Sequence, residues 1–154
     1  MTVLTNSLDE TIDLGRRIGK LLKPGDVIAL YGDLGAGKTT LTRGIADGLG
    51  LEADIHSPTF TLIHEHPGII PLYHVDLYRL SGEYEVEALG LDEYLYSNGV
   101  TIIEWADRTA ATLPADRLDI DLKIADNDHR KLLIKADSAR FETIIEALNA
   151  NTGD

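Results

Sequence analysis

The sequence contains no cysteine, one tryptophan, one methionine and two phenylalanines. Without thiols the chain can form no disulfide, use no thiolate nucleophile and build no zinc site of the cysteine type, so any metal it holds must take oxygen or imidazole ligands. No apolar run approaches the roughly 20 residues that span a bilayer. The start, Met1-Thr-Val-Leu-Thr-Asn-Ser7, lacks the basic then apolar pattern of a secretory signal, and the expectation is a cytoplasmic protein. Positive charge is scarce as well: 14 Lys and Arg stand against 26 Asp and Glu, a formal charge of −12. Nucleic-acid affinity rests largely on cations that neutralise phosphates and release counterions, so this balance argues against autonomous DNA or RNA binding. An anionic nucleotide can still bind where backbone N–H groups and one or two cations converge.

What is present is the make-up of a folded protein. With 154 residues, 44% hydrophobic and 26% charged, the chain fits one domain over 1–154 with its own core. Ser7-Leu-Asp-Glu10 has capping-box spacing, and Leu8, Ile12, Ile18 and Leu22 follow at near-helical intervals, which predicts a helix from about Leu8 to Leu22, stopped by Pro24-Gly25. Asp26-Val-Ile-Ala-Leu-Tyr31 is a short apolar run of the kind buried in a parallel sheet. A glycine-rich stretch follows, then a second helix from about Lys38 to Leu49 with Gly50 as its C-cap. Thr59 to His66 and Ile69 to Asp76 read as strands of a hairpin around Pro67-Gly68. Glu83 to Tyr96 is helical with a break at Gly90, and Val100 to Glu104 is another buried strand. Arg117 to Ala125 and Arg130 to Ala136 form a second hairpin around Asp126-Asn-Asp128, before a last helix with Phe141, Ile144, Ile145 and Leu148 on one stripe. The order implies a three-layer α/β fold of the phosphate-loop type, with a mostly parallel sheet and added hairpins.

Gly32-Asp-Leu-Gly-Ala-Gly-Lys-Thr39 matches G-x-x-x-x-G-K-[ST] between a predicted strand and a predicted helix, the context that the chemistry needs. In such a loop the N–H groups of Gly35, Ala36 and Gly37 curl round a β-phosphate at the positive end of the helix dipole. Lys38 reaches the β and γ oxygens, Thr39 ligates Mg²⁺, and Thr40 can donate to the α-phosphate. The ligand expected is therefore ATP with Mg²⁺. Such a site also needs acids at neighbouring strand ends. Glu104, closing the run Val100-Thr-Ile-Ile, is assigned to the metal, and Asp76, closing Tyr73-His-Val, to the γ-phosphate as base or water positioner; the two roles are interchangeable at this point. Ser57-Pro-Thr-Phe-Thr61 occupies the chain position of a switch loop, with Thr59 or Thr61 as the hydroxyl brought to metal or phosphate, against the plainer reading of a turn before a strand. Trp105 is read as packing beside the site. His64, His66 and His74 face one another across the first hairpin, but no carboxylate stands at ligand spacing beside them, which disfavours a metal site there.

These segments together carry a family resemblance. Tyr31-Gly-Asp-Leu-Gly-Ala-Gly-Lys-Thr-Thr40, Ser57-Pro-Thr-Phe-Thr-Leu62, His74-Val-Asp-Leu-Tyr-Arg-Leu80 and Ile103-Glu-Trp-Ala-Asp107 resemble, in order and over essentially the whole chain, the TsaE (YjeE) family. The resemblance implies an ATPase of low intrinsic activity that works with the TsaD and TsaB proteins in threonylcarbamoyladenosine modification of tRNA. It associates Thr39 and Glu104 with Mg²⁺ and Asp76 with catalysis, and puts Trp105 near the site. It also implies that Leu8 to Thr11, Asp107 and Arg130 lie near the nucleotide. Two other functions share the loop. A small-molecule kinase needs several lid arginines, whereas only Arg79 and Arg108 fall near predicted site segments; a binding module gated by nucleotide would use hydrolysis as a reset. No Asn-Lys-x-Asp guanine motif is present, which disfavours GTP.

Overall fold

Along the central strand β2 (Val27–Tyr31) alternate side chains enter two different cores. Ile28 and Leu30 join a cluster with Leu14, Ile18, Leu41, Ile45 and Phe141, while Val27 and Ala29 join Val75, Val86, Leu95 and Ile103. A strand apolar at every position is thus one buried on both faces, with successive side chains pointing to opposite sides. The computed structural model describes residues 1–52, 54–58, 62–109 and 113–150. In these, seven strands form one sheet: β1 (Thr2–Thr5), β2, β3 (Ile63–His66), β4 (Leu72–Asp76), β5 (Val100–Glu104), β6 (Leu118–Asp126) and β7 (His129–Ala136), in the order β1-β7-β6-β2-β5-β4-β3. The four central strands β6, β2, β5 and β4 are parallel to their neighbours; β3, β7 and β1 add antiparallel pairs at the two ends. Each predicted hairpin therefore extends the sheet, giving one strand to its parallel centre.

Helices α1 (Leu8–Gly19), α2 (Lys38–Gly48) and α5 (Ala139–Ala150) cover one face. The short α3 (Glu83–Ala88), α4 (Asp92–Leu95) and a 3₁₀ turn at Ala106–Thr109 cover the other. Gly90, at φ 69°, separates α3 from α4 as expected. No helix among the described residues is long and apolar enough to cross a membrane.

Two helix ends differ from the expected ones. The α1 helix begins as the capping spacing implies, the Ser7 hydroxyl accepting from Glu10 N–H at 3.1 Å, but it stops at Gly19 and not at Leu22, with Leu21 and Leu22 held in turn bonds. The α2 helix stops at Gly48, not Leu49. Leu51 N–H then bonds the Ala46 carbonyl and Gly50 N–H that of Asp47, the paired bonds of a Schellman ending with Gly50 at φ 81°. The β1 strand, absent from the expected elements, pairs with β7 from Thr2↔Leu133 to Thr5↔Arg130.

The two helices α1 and α2 meet backbone to backbone. A Cβ on Gly15 would lie 2.6 Å from the Leu41 carbonyl oxygen and 2.8 Å from the Gly44 Cα, and Gly19, Gly44 and Gly48 are as closely confronted. Small residues four apart on each helix permit this approach, and it seats α2 against the sheet with its N-terminus at the carboxyl edge of β2.

Candidate functional site

The carboxyl ends of the parallel strands are where an α/β sheet offers a crevice. Residues 32 to 37 leave β2 there and turn into α2. Gly37 occupies the N-cap position at φ 106°, a left-handed conformation that glycine adopts without a Cβ penalty, and no side chain caps the helix. The first α2 residues thus have N–H groups with no partner one turn back, a standing attraction for an anion. A cavity of about 400 Å³ opens in front of them, lined by Leu8, Leu34, Gly35, Ala36, Gly37, Lys38, Thr39, Thr40, Ser57, Asp76, Tyr78, Glu104, Trp105 and Arg130.

Lys38 is 5% exposed. Its ammonium donates to the carbonyls of Gly32 (2.5 Å) and Asp33 (3.0 Å) and sits 4.1 Å above the centre of the Trp105 ring. Burial pulls its pKa below the usual lysine value, with Glu104, Asp76, Asp33 and Asp107 opposing that shift. Trp105 adopts φ 59°, rare for a large side chain and costing about 1–3 kcal/mol. That conformation directly after Glu104 folds the indole back over Lys38, and Tyr78 packs on it with ring centres 4.9 Å apart. The strain sits beside the cavity, where such outliers concentrate.

The two acids come together because β4 and β5 are parallel and in register, Asp76 opposite Glu104. Both are buried, at 2% and 3% exposure. Thr39 Oγ1 donates to the two Glu104 oxygens at 3.3 and 3.4 Å, and His74 Nε2 lies 2.5 Å from Oε2. Asp76 accepts from Ser57 Oγ at 3.0 Å and Tyr78 N–H at 2.9 Å. A threonine hydroxyl with two desolvated carboxylates is an oxygen donor set suited to a hard divalent cation such as Mg²⁺, which uses one or two carboxylates and completes its shell with water and phosphate. No cluster of three or more His, Asp or Glu able to hold a metal by itself is present among the described residues, including the three histidines of the first hairpin.

Arg130 enters from β7. Its guanidinium donates to the carbonyls of Ala36 (2.9 Å), Gly35 (3.1 Å) and His129 (3.0 Å), and also to that of Asn127. The arginine grips carbonyls of the glycine loop and so restrains its N–H groups. Arg130→Ala is expected to strip the buried Ala36 carbonyl and three part-buried ones of a charged donor, at a cost of about 2–3 kcal/mol. A thermal melt reads that as a drop of roughly 5–10 °C for a chain of this size, with weaker nucleotide binding alongside; an unchanged melt would remove the clamp role.

Of the residues singled out from sequence, Leu8, Gly35 to Thr40, Ser57, Asp76, Glu104, Trp105 and Arg130 converge on the cavity. Thr11 does not line it: it is buried, with its hydroxyl 2.7 Å from that of Thr5 and 3.3 Å from the Ser7 carbonyl, tying α1 to β1. Asp107 is exposed on the 3₁₀ turn and acts on Lys38 through charge. Thr59 and Thr61 lie outside the described residues. Tyr78 and His74 took no part in the expected site; for His74 the available signal was its place two residues before Asp76 on one strand, hence on the same face.

Fold and site define the class: a three-layer α/β protein whose glycine loop joins the central strand to its helix beside two strand-end acids. The family model described as "Threonylcarbamoyl adenosine biosynthesis protein TsaE" matches residues 5–132, and the chain belongs to the TsaE family. It is 46% identical over 142 residues to the tRNA threonylcarbamoyladenosine biosynthesis protein TsaE of Bacillus subtilis (strain 168), covering 92% of this chain and 89% of the relative. The protein of the same name from Streptomyces coelicolor is 45% identical over 136 residues, covering 86% of this chain and 87% of that one. The crystal structure of Bacillus subtilis YdiB superposes with a TM-score of 0.85 at 39% identity, over 99% of this chain and 96% of that chain.

Proposed function

We propose that the chain is a Mg²⁺-dependent ATPase that supports threonylcarbamoyl modification of tRNA adenosine together with TsaD and TsaB. The observation that carries this is one cavity in which an uncapped helix N-terminus, a buried lysine and two buried strand-end acids face each other in a chain of the TsaE family. The loop N–H groups and the α2 dipole hold the β-phosphate, and Lys38 exchanges its two loop carbonyls for phosphate oxygens. Thr39 and Glu104 would hold Mg²⁺. When bound, the ion would supply charge neutralisation at the phosphates. Asp76, fixed by Ser57 and Tyr78, orients the attacking water and takes up its proton, releasing ADP and phosphate. The TsaE resemblance is what supports adenine as the base and TsaD and TsaB as the partners. The net charge of −12 suits a protein that meets other proteins while leaving tRNA to them.

Phosphate release from ATP alone tests the activity: slow turnover without any acceptor is expected, rising when TsaD and TsaB are added. Release only in the presence of an acceptor hydroxyl would point to a kinase. Glu104→Gln is expected to raise the Mg²⁺ needed for half-maximal turnover by about tenfold while leaving the melt in place.

Ser57, reaching Asp76 from the segment ahead of β3, favours a second element in the same reading, a surface ordered by the γ-phosphate and offered to the partners. Recovery of TsaD and TsaB on immobilised protein is expected to differ between ATP and ADP, and equal recovery removes that element.

A further inference from the structure

His74 is fully buried on β4, with Leu72 before it and Ile102 opposite it on β5, and with His64 opposite it on β3. A histidine at such a place is a poorer core filler than leucine, because a ring nitrogen without a partner loses its hydration. That loss is present here: His74 Nδ1 has no hydrogen-bond partner among the described residues. The other nitrogen explains the residue. The β4–β5 register sets His74 opposite Ile102 and Asp76 opposite Glu104, so Glu104 is the next residue on the same face of β5, and Nε2 reaches its Oε2 at 2.5 Å. A carboxylate only accepts, so in this bond Nε2 carries the hydrogen. Against this bond, the contacts from Thr39 to the same carboxylate are long and evenly divided between its oxygens, 3.3 and 3.4 Å, and set no orientation.

We propose that His74 is a positioning residue that fixes the carboxylate of Glu104 through its Nε2–H in the orientation used to hold Mg²⁺ beside the nucleotide. The inference rests on the nucleotide reading given above. Carboxylates that serve metals are themselves held by outer hydrogen bonds, whose loss weakens the metal by about 10- to 100-fold. Asp76, two residues along β4, has its own donors in Ser57 and Tyr78; the hydrogen-bonding help from β4 to Glu104 comes from His74.

Trp105 gives a readout that does not depend on turnover, since a nucleotide that takes Lys38 from beneath the indole alters its emission. The titration varies Mg²⁺ at a fixed concentration of a non-hydrolysable ATP analogue and is repeated with the analogue in EDTA. His74→Leu is expected to move the Mg²⁺ midpoint upward by about tenfold while shifting the EDTA affinity by less than about twofold. His74→Gln, whose amide can donate to the same carboxylate, is expected to recover most of that shift. An unmoved midpoint in His74→Leu, or an equal loss in EDTA, overturns the proposal in favour of packing. Imidazole nitrogen NMR of the wild-type protein keeps the test alive if the leucine variant fails to fold: the Nε2–H tautomer is expected, with a ring signal that responds to Mg²⁺ in the nucleotide complex. An Nδ1–H tautomer, or a signal indifferent to Mg²⁺, overturns the proposal as well. A wild type whose analogue affinity ignores Mg²⁺ overturns the nucleotide reading and this inference together, whereas a Mg²⁺-dependent wild type with an indifferent leucine variant overturns this inference alone.

Discussion

Lys38→Ala is expected to lower the affinity for ATP by about two orders of magnitude, measured by calorimetry with a non-hydrolysable analogue. The ammonium now donates to two carbonyls of its own loop and rests on Trp105. In the proposed function those contacts are what it exchanges for phosphate oxygens. A hydrogen bond to a charged group contributes about 1.5–3 kcal/mol net, so losing two amounts to at least about 3 kcal/mol, or roughly 150-fold. Folding responds differently. Removing a desolvated ammonium relieves the burial that depresses its pKa, while the Gly32 and Asp33 carbonyls lose a donor. These effects oppose one another, and the melt is expected to stay within about 1 kcal/mol of wild type. Unchanged affinity in a folded Lys38→Ala protein would dismiss the nucleotide assignment.

Gly44→Ala is the reverse case, a large effect on stability from a single methyl far from any ligand. Alanine is the better helix former by about 1 kcal/mol, which by itself predicts a gain. The added Cβ, however, would run into the Ile12 carbonyl oxygen and lie 2.9 Å from the Gly15 Cα, both backbone atoms that cannot rotate away. Overpacking costs about 1–3 kcal/mol, and a clash with helix backbone belongs at the upper end. The net expectation is a loss of about 2 kcal/mol, a melting point lower by roughly 4–8 °C. Because α2 carries Lys38, Thr39 and Thr40 on its first turn, moving it off α1 also displaces the phosphate loop, so nucleotide affinity should fall with the melt. A melt at or above the wild-type value would mean that the two helices can separate freely.

The parts of the fold visible in the sequence are those where local pattern and final environment coincide. Apolar runs at Val27–Tyr31 and Val100–Glu104 are strands buried on both faces, and Gly90 breaks the helical stretch where its φ turns positive. The glycine loop and the acids Asp76 and Glu104 stood out as a candidate phosphate site because such chemistry calls for those residue types there, and the fold brings them to one cavity. What escaped depends on distant partners. Four residues, Thr2 to Thr5, are too few to show alternation, and they become β1 through pairing with β7. The early end of α1, after which Leu21 and Leu22 sit in turn bonds, is a detail that apolar spacing cannot show. Arg130 was legible only as a cation near nucleotide; that it grips loop carbonyls follows from the β6–β7 hairpin lying beside β2. His74 looked like one of three hairpin histidines until the β4–β5 register set it beside Glu104.

The arginine grip on the glycine loop also has a bearing on biosynthesis. Arg130 follows Gly37 by 93 residues, and β6, which flanks β2 on that side, is likewise made after the loop. At about 5–20 residues per second, a ribosome delivers the arginine roughly 5–20 seconds after the loop it restrains. Through that interval a nascent chain carries the glycine loop without its brace, so the loop gains its full restraint only once the β6–β7 hairpin has been made.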